Sequence, residues 1–306
     1  MTGYLFGQES KPPACDEAIL NSAGESIGAG QVDAALETLR SAAPSCAGIG
    51  RFHAVLAAAL LAKRLSVDAA REYYAAIALS PQESDYYRAL AEILIQNHAF
   101  GNARVLLVKA NREFPDQQWT YLMLGEVYRA HNSFNEAKSV VEEAVKRWPD
   151  NAAAHVLLGN ILVGAADSDA LAEYRKAIHL APELPQAYLF YGIQLEKLNQ
   201  TDEAIAAFTK CVALDPSMAN AHYYLGHIHL KRGDFNACIS ELTTVLQLSP
   251  SYALAYFDMG TAYRKLGDKA KADVYLRRFG ELSTEQKTDE AEEGRKFTEA
   301  LAKPQQ

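Results

Sequence analysis

The chain has 306 residues, 49% hydrophobic, 22% charged and 9% aromatic, a balance that suits a folded protein and not a disordered one. Its formal net charge of −8 lacks the basic footprint by which proteins displace counterions from a phosphate backbone, so no nucleic-acid partner is expected. The longest unbroken apolar run, Ala54 to Ala62, covers nine residues, about half of a bilayer-spanning helix, and no membrane insertion is expected.

Residues 1–14 read as a flexible N-terminal arm. No basic stretch precedes an apolar one there, so the sequence as given carries no signal peptide and points to the cytoplasm. Residues 15–49 read as a worn helix pair. Asp16 to Ile27 supplies the first helix, Gly28-Ala29-Gly30 the turn, and Ala35, Leu39 and Ala42 the small and apolar positions of the second. Cys15 and Cys46 bracket this pair, and an antiparallel hairpin would bring both to its open end, within bridging reach. A bridge there would require an oxidising compartment, and hence a periplasmic or exported protein. Cys211 and Cys238 fall at small, buried positions and read as structural.

From residue 50 to residue 286 the chain repeats. Ala57, Ala91, Gly125, Gly159, Gly192, Gly226 and Gly260 follow one another at intervals of 34, 34, 34, 33, 34 and 34 residues. Pro81, Pro115, Pro149, Pro182, Pro216 and Pro250 keep the same phase, and between the two series stand Ala69, Ala103, Ala137, Ala170, Ala204, Cys238 and Ala272. Each period reads as two amphipathic helices, A and B, with the proline ending helix B because it cannot continue the backbone ladder. Glycine costs helix propensity, so its place in helix A implies close packing, read as the approach of two helix backbones. Seven such hairpins are expected, the one beginning at Ala152 being a residue short between its helices.

The order of residues within a period resembles the tetratricopeptide repeat family. One hairpin carries Tyr121, Leu124, Gly125, Tyr128, Ala137, Val141, Ala144 and Pro149; another carries Tyr188, Tyr191, Gly192, Leu195, Ala204, Phe208, Cys211 and Pro216. A third carries His222, Leu225, Gly226, His229, Cys238, Leu242, Val245 and Pro250. The resemblance implies an all-α, right-handed superhelical solenoid of antiparallel helix pairs that binds protein or peptide segments in its concave groove and needs no cofactor. Residues 287–306 read as a C-terminal capping helix and tail, with Ser283 and Gln286 at capping-box spacing ahead of it.

In that family the groove is lined by set positions of helix A. Carried over, these are Trp119, Leu122, Glu126, Val156, Asn160, Leu189, Phe190, Ile193, Tyr223, Tyr224, His227, Phe257 and Arg264. Leu122, Val156, Leu189, Ile193, Tyr223 and Phe257 would form an apolar stripe for an apolar segment of a partner. The Lys and Arg residues by which some members grip a C-terminal carboxylate are not reproduced. Val156 and Leu157 stand near Asn160 instead.

Signs of catalysis are missing. No G-x-S-x-G, H-E-x-x-H or P-loop string occurs, so no catalytic residue is assigned and the chain is not expected to be an enzyme. His222, His227 and His229 invite a metal reading, but His222 and His229 fall at packing positions and only His227 at a groove position, so no metal site is assigned. The competing functional reading is a structural, self-associating protein whose groove is covered by a second copy or by its own Tyr4-Leu5-Phe6 arm.

Overall fold

A computed structural model describes residues 15–285 and 290–303. The arm at residues 1–14 and the capping-box residue Gln286 lie outside them. The described residues form seventeen helices and no strand. In chain order these begin with α1 (Glu17–Gly28), α2 (Val32–Cys46), α3 (Gly50–Ala62), α4 (Ser66–Leu79), α5 (Ser84–Gln96) and α6 (Phe100–Glu113). There follow α7 (Gln118–Ala130), α8 (Phe134–Arg147), α9 (Ala152–Leu162), α10 (Asp167–Leu180), α11 (Pro185–Lys197) and α12 (Thr201–Leu214). The last are α13 (Ala219–Arg232), α14 (Phe235–Leu248), α15 (Ala253–Lys265), α16 (Lys269–Glu285) and α17 (Glu290–Ala302).

The phased prolines act as stops. Each of the six stands two residues beyond the end of a helix, as Pro149 does after α8 and Pro216 after α12. The residue before each proline leaves the helical region, for example Trp148 at φ −128°, ψ 73°, because the pyrrolidine ring crowds a helical predecessor. The turn inside each hairpin has its own device. One residue per turn takes a left-handed conformation: Gly30, Arg64, His98, Asn132, Gly164, Asn199, Gly233 and Gly267.

The in-phase glycines serve a packing need that differs in detail from the sequence reading. A Cβ on Gly159 would sit 2.5 Å from the Tyr174 ring, and one on Gly192 would sit 2.7 Å from Phe208. At these positions glycine admits a large helix B side chain and not the backbone of the neighbouring helix. Tyr174 and Phe208 are correspondingly buried. Phe208 anchors a core with Leu195, Ala204, Cys211 and Leu225, and Tyr174 anchors one with Val156, Leu157 and Ile161.

The chain divides into two compact units. One comprises residues 1–120 with 290–306, the other residues 121–289. In the first, Leu20, Leu39, Cys46 and Phe52 form the core of the leading hairpins. Asp16 caps α1 by accepting from the Ala18 N–H at 2.9 Å. Cys15 and Cys46 are joined by a disulfide across the open end of this hairpin, with Cα atoms 4.8 Å apart.

Helix α17 belongs to this same first unit, although the sequence reading set it as a cap on the last repeat. It packs on α4. Arg71 donates to the carbonyls of Ala300 at 2.6 Å and Lys303 at 2.8 Å, so a guanidinium caps the C-terminal end of α17. Thr298 donates to Asn102, Phe297 is buried, and a Cβ at Gly294 would collide with the carbonyl of His98. Glycine thus lets the α17 backbone come down on the α5–α6 turn.

Candidate functional site

The site is built in the second unit from three successive A helices. α7, α9 and α11 present one face side by side, and with Tyr174 of α10 they enclose a recess of about 560 Å³. Its apolar surface comes from Val156, Leu157, Val163, Leu184, Phe190 and Ile193, and its polar groups from Glu126, Arg129, Asn160, Gln186, Gln194 and Lys197. Five of the positions expected from sequence therefore meet here: Glu126, Val156, Asn160, Phe190 and Ile193.

The geometry assigns each polar group a state. Tyr174, reaching through the space that Gly159 leaves, donates to Asn160 Oδ1 at 2.8 Å. That bond fixes the Asn160 amide and leaves its Nδ2 as the available donor. Burial pushes the Tyr174 phenol well above its ordinary value, so it remains a donor. Phe190 stacks on Tyr174 with centroids 6.4 Å apart. Glu126 accepts from Nε and Nη2 of Arg129 at 3.1 and 2.9 Å, closing an ion pair within one wall.

At the opposite wall Lys197 donates to Asp167 at 3.2 Å. The Gly164 N–H, bonded to Asp167 at 2.7 Å, is the first cause that holds this carboxyl below its usual range, with the Gln194 amide and Lys197 adding to it.

The apolar stripe expected from sequence is not continuous on the surface. Val156, Leu189 and Tyr223 are buried at 7%, 4% and 8% exposure, and Leu122 and Ile193 are half-buried. The reason is repeat stacking. Leu189 faces Leu171, Phe208 and Ala221 in the core, and Tyr223 packs with Cys238, Leu242 and Met259. Phe257, at 44% exposure, is the member left open, and its ring lies 5.2 Å from that of Phe279. Trp119 is half-buried near the start of α7 and is not part of the recess lining.

The remaining candidates gather between α13 and α15. His227 is hydrogen-bonded through Nδ1 to the buried Asp258 at 2.7 Å, and Tyr223 lies against His227, Tyr224 and Tyr252. Tyr224 stacks on Phe208 at 5.1 Å. Arg264 is exposed at the end of α15. Lys231, in the last turn of α13, is bound to Glu196. His222 is held between Glu241 at 2.7 Å and the Pro216 carbonyl at 3.2 Å. Among the described residues no group of three or more His, Cys, Asp or Glu is placed to hold a metal ion.

Burial moves the potential nucleophiles away from reactivity. The Cys211 thiol is pushed up to about 11 and the Cys238 thiol to about 12, with desolvation the main cause in both. Burial likewise raises Tyr252 to about 12, and its hydroxyl is spent on Asn220 at 3.0 Å.

Tyr174, Gln194, Lys197 and Asp167 were not found from sequence. Tyr174 lies on a B helix, and the one available signal was the in-phase Gly159 opposite it. A second recess of about 580 Å³ was also missed. It lies in the first unit, between α1, α3 and α5, beside Ile27, Ile49, Arg51 and Tyr86.

Family models described as tetratricopeptide or TPR repeats match residues 122–185, 194–233, 219–252 and 254–282. Among curated proteins no sequence match is found. The Cut9–Hcn1 hetero-tetramer of the APC/C shares the fold at a TM-score of 0.64 and 18% identity, over 79% of this chain and 48% of that one. PilW, described as a type IV pilus biogenesis factor, does so at 0.58 and 19% identity, over 68% of this chain and 96% of its own. At these identities the likeness is one of fold. Among the described residues no helix is long and apolar enough to cross a membrane.

Proposed function

Residues 122–282 form a tetratricopeptide repeat array, and from that premise we propose that the chain is a non-enzymatic scaffold or adaptor whose α7–α9–α11 recess holds an apolar segment of a partner protein. One observation carries this reading: the recess sets Phe190, Ile193 and Val156 beside an oriented Asn160 amide, with about 560 Å³ between them. That combination of apolar surface and a few fixed polar groups suits capture of a side chain with its adjoining main chain. Of the perturbed groups around it, Tyr174 is a phenol that burial keeps protonated, and Asp167 is a carboxylate already bonded to the Gly164 N–H and to Lys197.

The test is selection of random displayed peptides against the wild-type protein, followed by calorimetry on wild type and Ile193→Glu. A charge at Ile193 places an unpaired carboxylate on the apolar floor and is expected to weaken binding at least tenfold, with circular dichroism unchanged. Peptides that bind both proteins equally would move the site elsewhere. Light scattering on the free protein addresses the competing reading, in which a second copy covers the groove; a stable dimer that Ile193→Glu dissociates would favour it.

A further inference from the structure

Resting on the groove reading above, we infer that the recess takes an uncharged, internal stretch of its partner: one apolar side chain with main-chain carbonyl oxygens bonded to Gln194 and Asn160. Gln194 is 1% exposed and lines the recess, yet its Nε2 has no hydrogen-bond partner among the described residues. Its amide helps hold the Asp167 carboxylate ionised, and a primary amide carries two N–H donors, so an acceptor in the recess can still be met. Buried side-chain amides are seldom left with a donor unmet, and an orphaned donor beside an open recess is satisfied when an acceptor arrives. Asn160 supplies the second donor, since its oxygen is engaged by Tyr174 and its Nδ2 is not.

The charges around these donors decide what kind of acceptor fits. Both cations at the recess are already matched by carboxylates of this chain: Arg129 by Glu126 and Lys197 by Asp167. A terminal carboxylate entering here would lose water, find no free cation and face Glu126. A basic side chain would compete with Arg129 and Lys197 for carboxylates they already hold. Neutral amide carbonyls meet the two donors without either cost. Phe190, Ile193 and Val156 then take the apolar side chain between them.

The experiment uses the full chain and two libraries, one with random peptides held at both ends in a displayed loop and one ending in a free carboxylate. The loop library is expected to yield binders enriched in Leu, Ile, Met or Phe and poor in charge. A selected peptide is then remade with an (E)-alkene in place of the amide that follows its apolar residue, which deletes one carbonyl. The alkene is expected to weaken binding to wild type about tenfold and to have no further effect on Gln194→Met. The peptide comparison on wild type needs no variant to fold.

If Ile193→Glu abolishes binding while the alkene scan and Gln194→Met leave it unchanged, the donor assignment fails and the groove stands. If only the free-carboxylate library yields binders, the internal-segment assignment fails. Should neither library yield binders sensitive to Ile193→Glu, the groove reading fails with it.

Discussion

The guanidinium of Arg71 donates to the carbonyl of Ala300 at 2.6 Å, joining residues 229 positions apart in the chain. With its second bond to Lys303 and its ion pair to Asp68 at 2.8 Å, Arg71 works as a clasp between α4 and the end of α17. Arg71→Met keeps much of the stem's packing and removes the donors. A partly exposed charged donor is worth about 1.5 kcal/mol here, the low end of its range. The expected outcome is local loosening at this contact: faster amide hydrogen exchange from Glu290 to Ala302 and along α4, with α13 to α16 unaffected. Unchanged exchange in α17 would show that Phe297 and the Gly294 contact hold the helix without the clasp.

Arg64 occupies the left-handed turn position at φ 61°, where Gly30, Gly164, Gly233 and Gly267 stand in other hairpins. An L-residue there carries a strain of about 1 kcal/mol that glycine relieves. Arg64 is exposed, so little packing is lost on replacement. Arg64→Gly is therefore expected to raise the stability of the first unit by somewhat under 1 kcal/mol, after glycine's greater entropy in the unfolded chain is counted. Urea unfolding checks it, and a lower midpoint would mean that the arginine stem contributes more than its backbone costs.

These turns also mark how far the sequence could be read. Period, proline stops and hairpin order were legible because each is local: two residues past a helix, or one residue in a turn. The candidate groove was legible in part, since helix A positions follow from the register, but their exposure depends on the next hairpin. Leu189 and Tyr223 disappear into stacking that no single repeat encodes. Asn160's orientation rests on Tyr174, which matters there through a hydrogen bond and not through a pattern. The seat of α17 was illegible for the same reason: its polar face says that one side meets water and nothing about which helix the other side meets.

The disulfide between Cys15 and Cys46 spans 31 residues and encloses the α1–α2 hairpin. Closing a loop of that length in the unfolded chain corresponds to about 3–4 kcal/mol in the chain-entropy account. Reduction with dithiothreitol is expected to lower the thermal midpoint of the first unit and to expose α1 to proteolysis, while Cys211 and Cys238, buried thiols with raised pKa, stay unmodified by alkylating reagents in the folded protein. Identical melting before and after reduction would place the stability of this hairpin in Leu20, Leu39 and Phe52 instead.

His53 lies between two acceptors, the Glu72 carboxylate at 2.5 Å from Nδ1 and the Ala47 carbonyl at 2.9 Å from Nε2. His155 and His222 repeat the arrangement with Glu173 and Pro149, and with Glu241 and Pro216. Both ring nitrogens face oxygen, so the ring satisfies both bonds when it carries two protons. For His53 the hydrogen bond to Glu72 is the largest cause that raises its pKa above 6.5, desolvation opposing it and the Ala47 carbonyl adding to it. A raised native pKa means that the native state holds the proton more tightly than the unfolded chain. The resulting stabilisation is in full force below about pH 6.5 and fades as pH climbs through the native value. Glu72→Gln removes the largest cause. The stability gap between wild type and Glu72→Gln is thus expected to be widest near pH 6 and to narrow toward pH 9, followed by urea midpoints and by the His53 imidazole signals in NMR. A gap that stays constant across that range would mean that Glu72 holds the hairpin by packing or by a neutral hydrogen bond, with His53 titrating as it does in the unfolded chain.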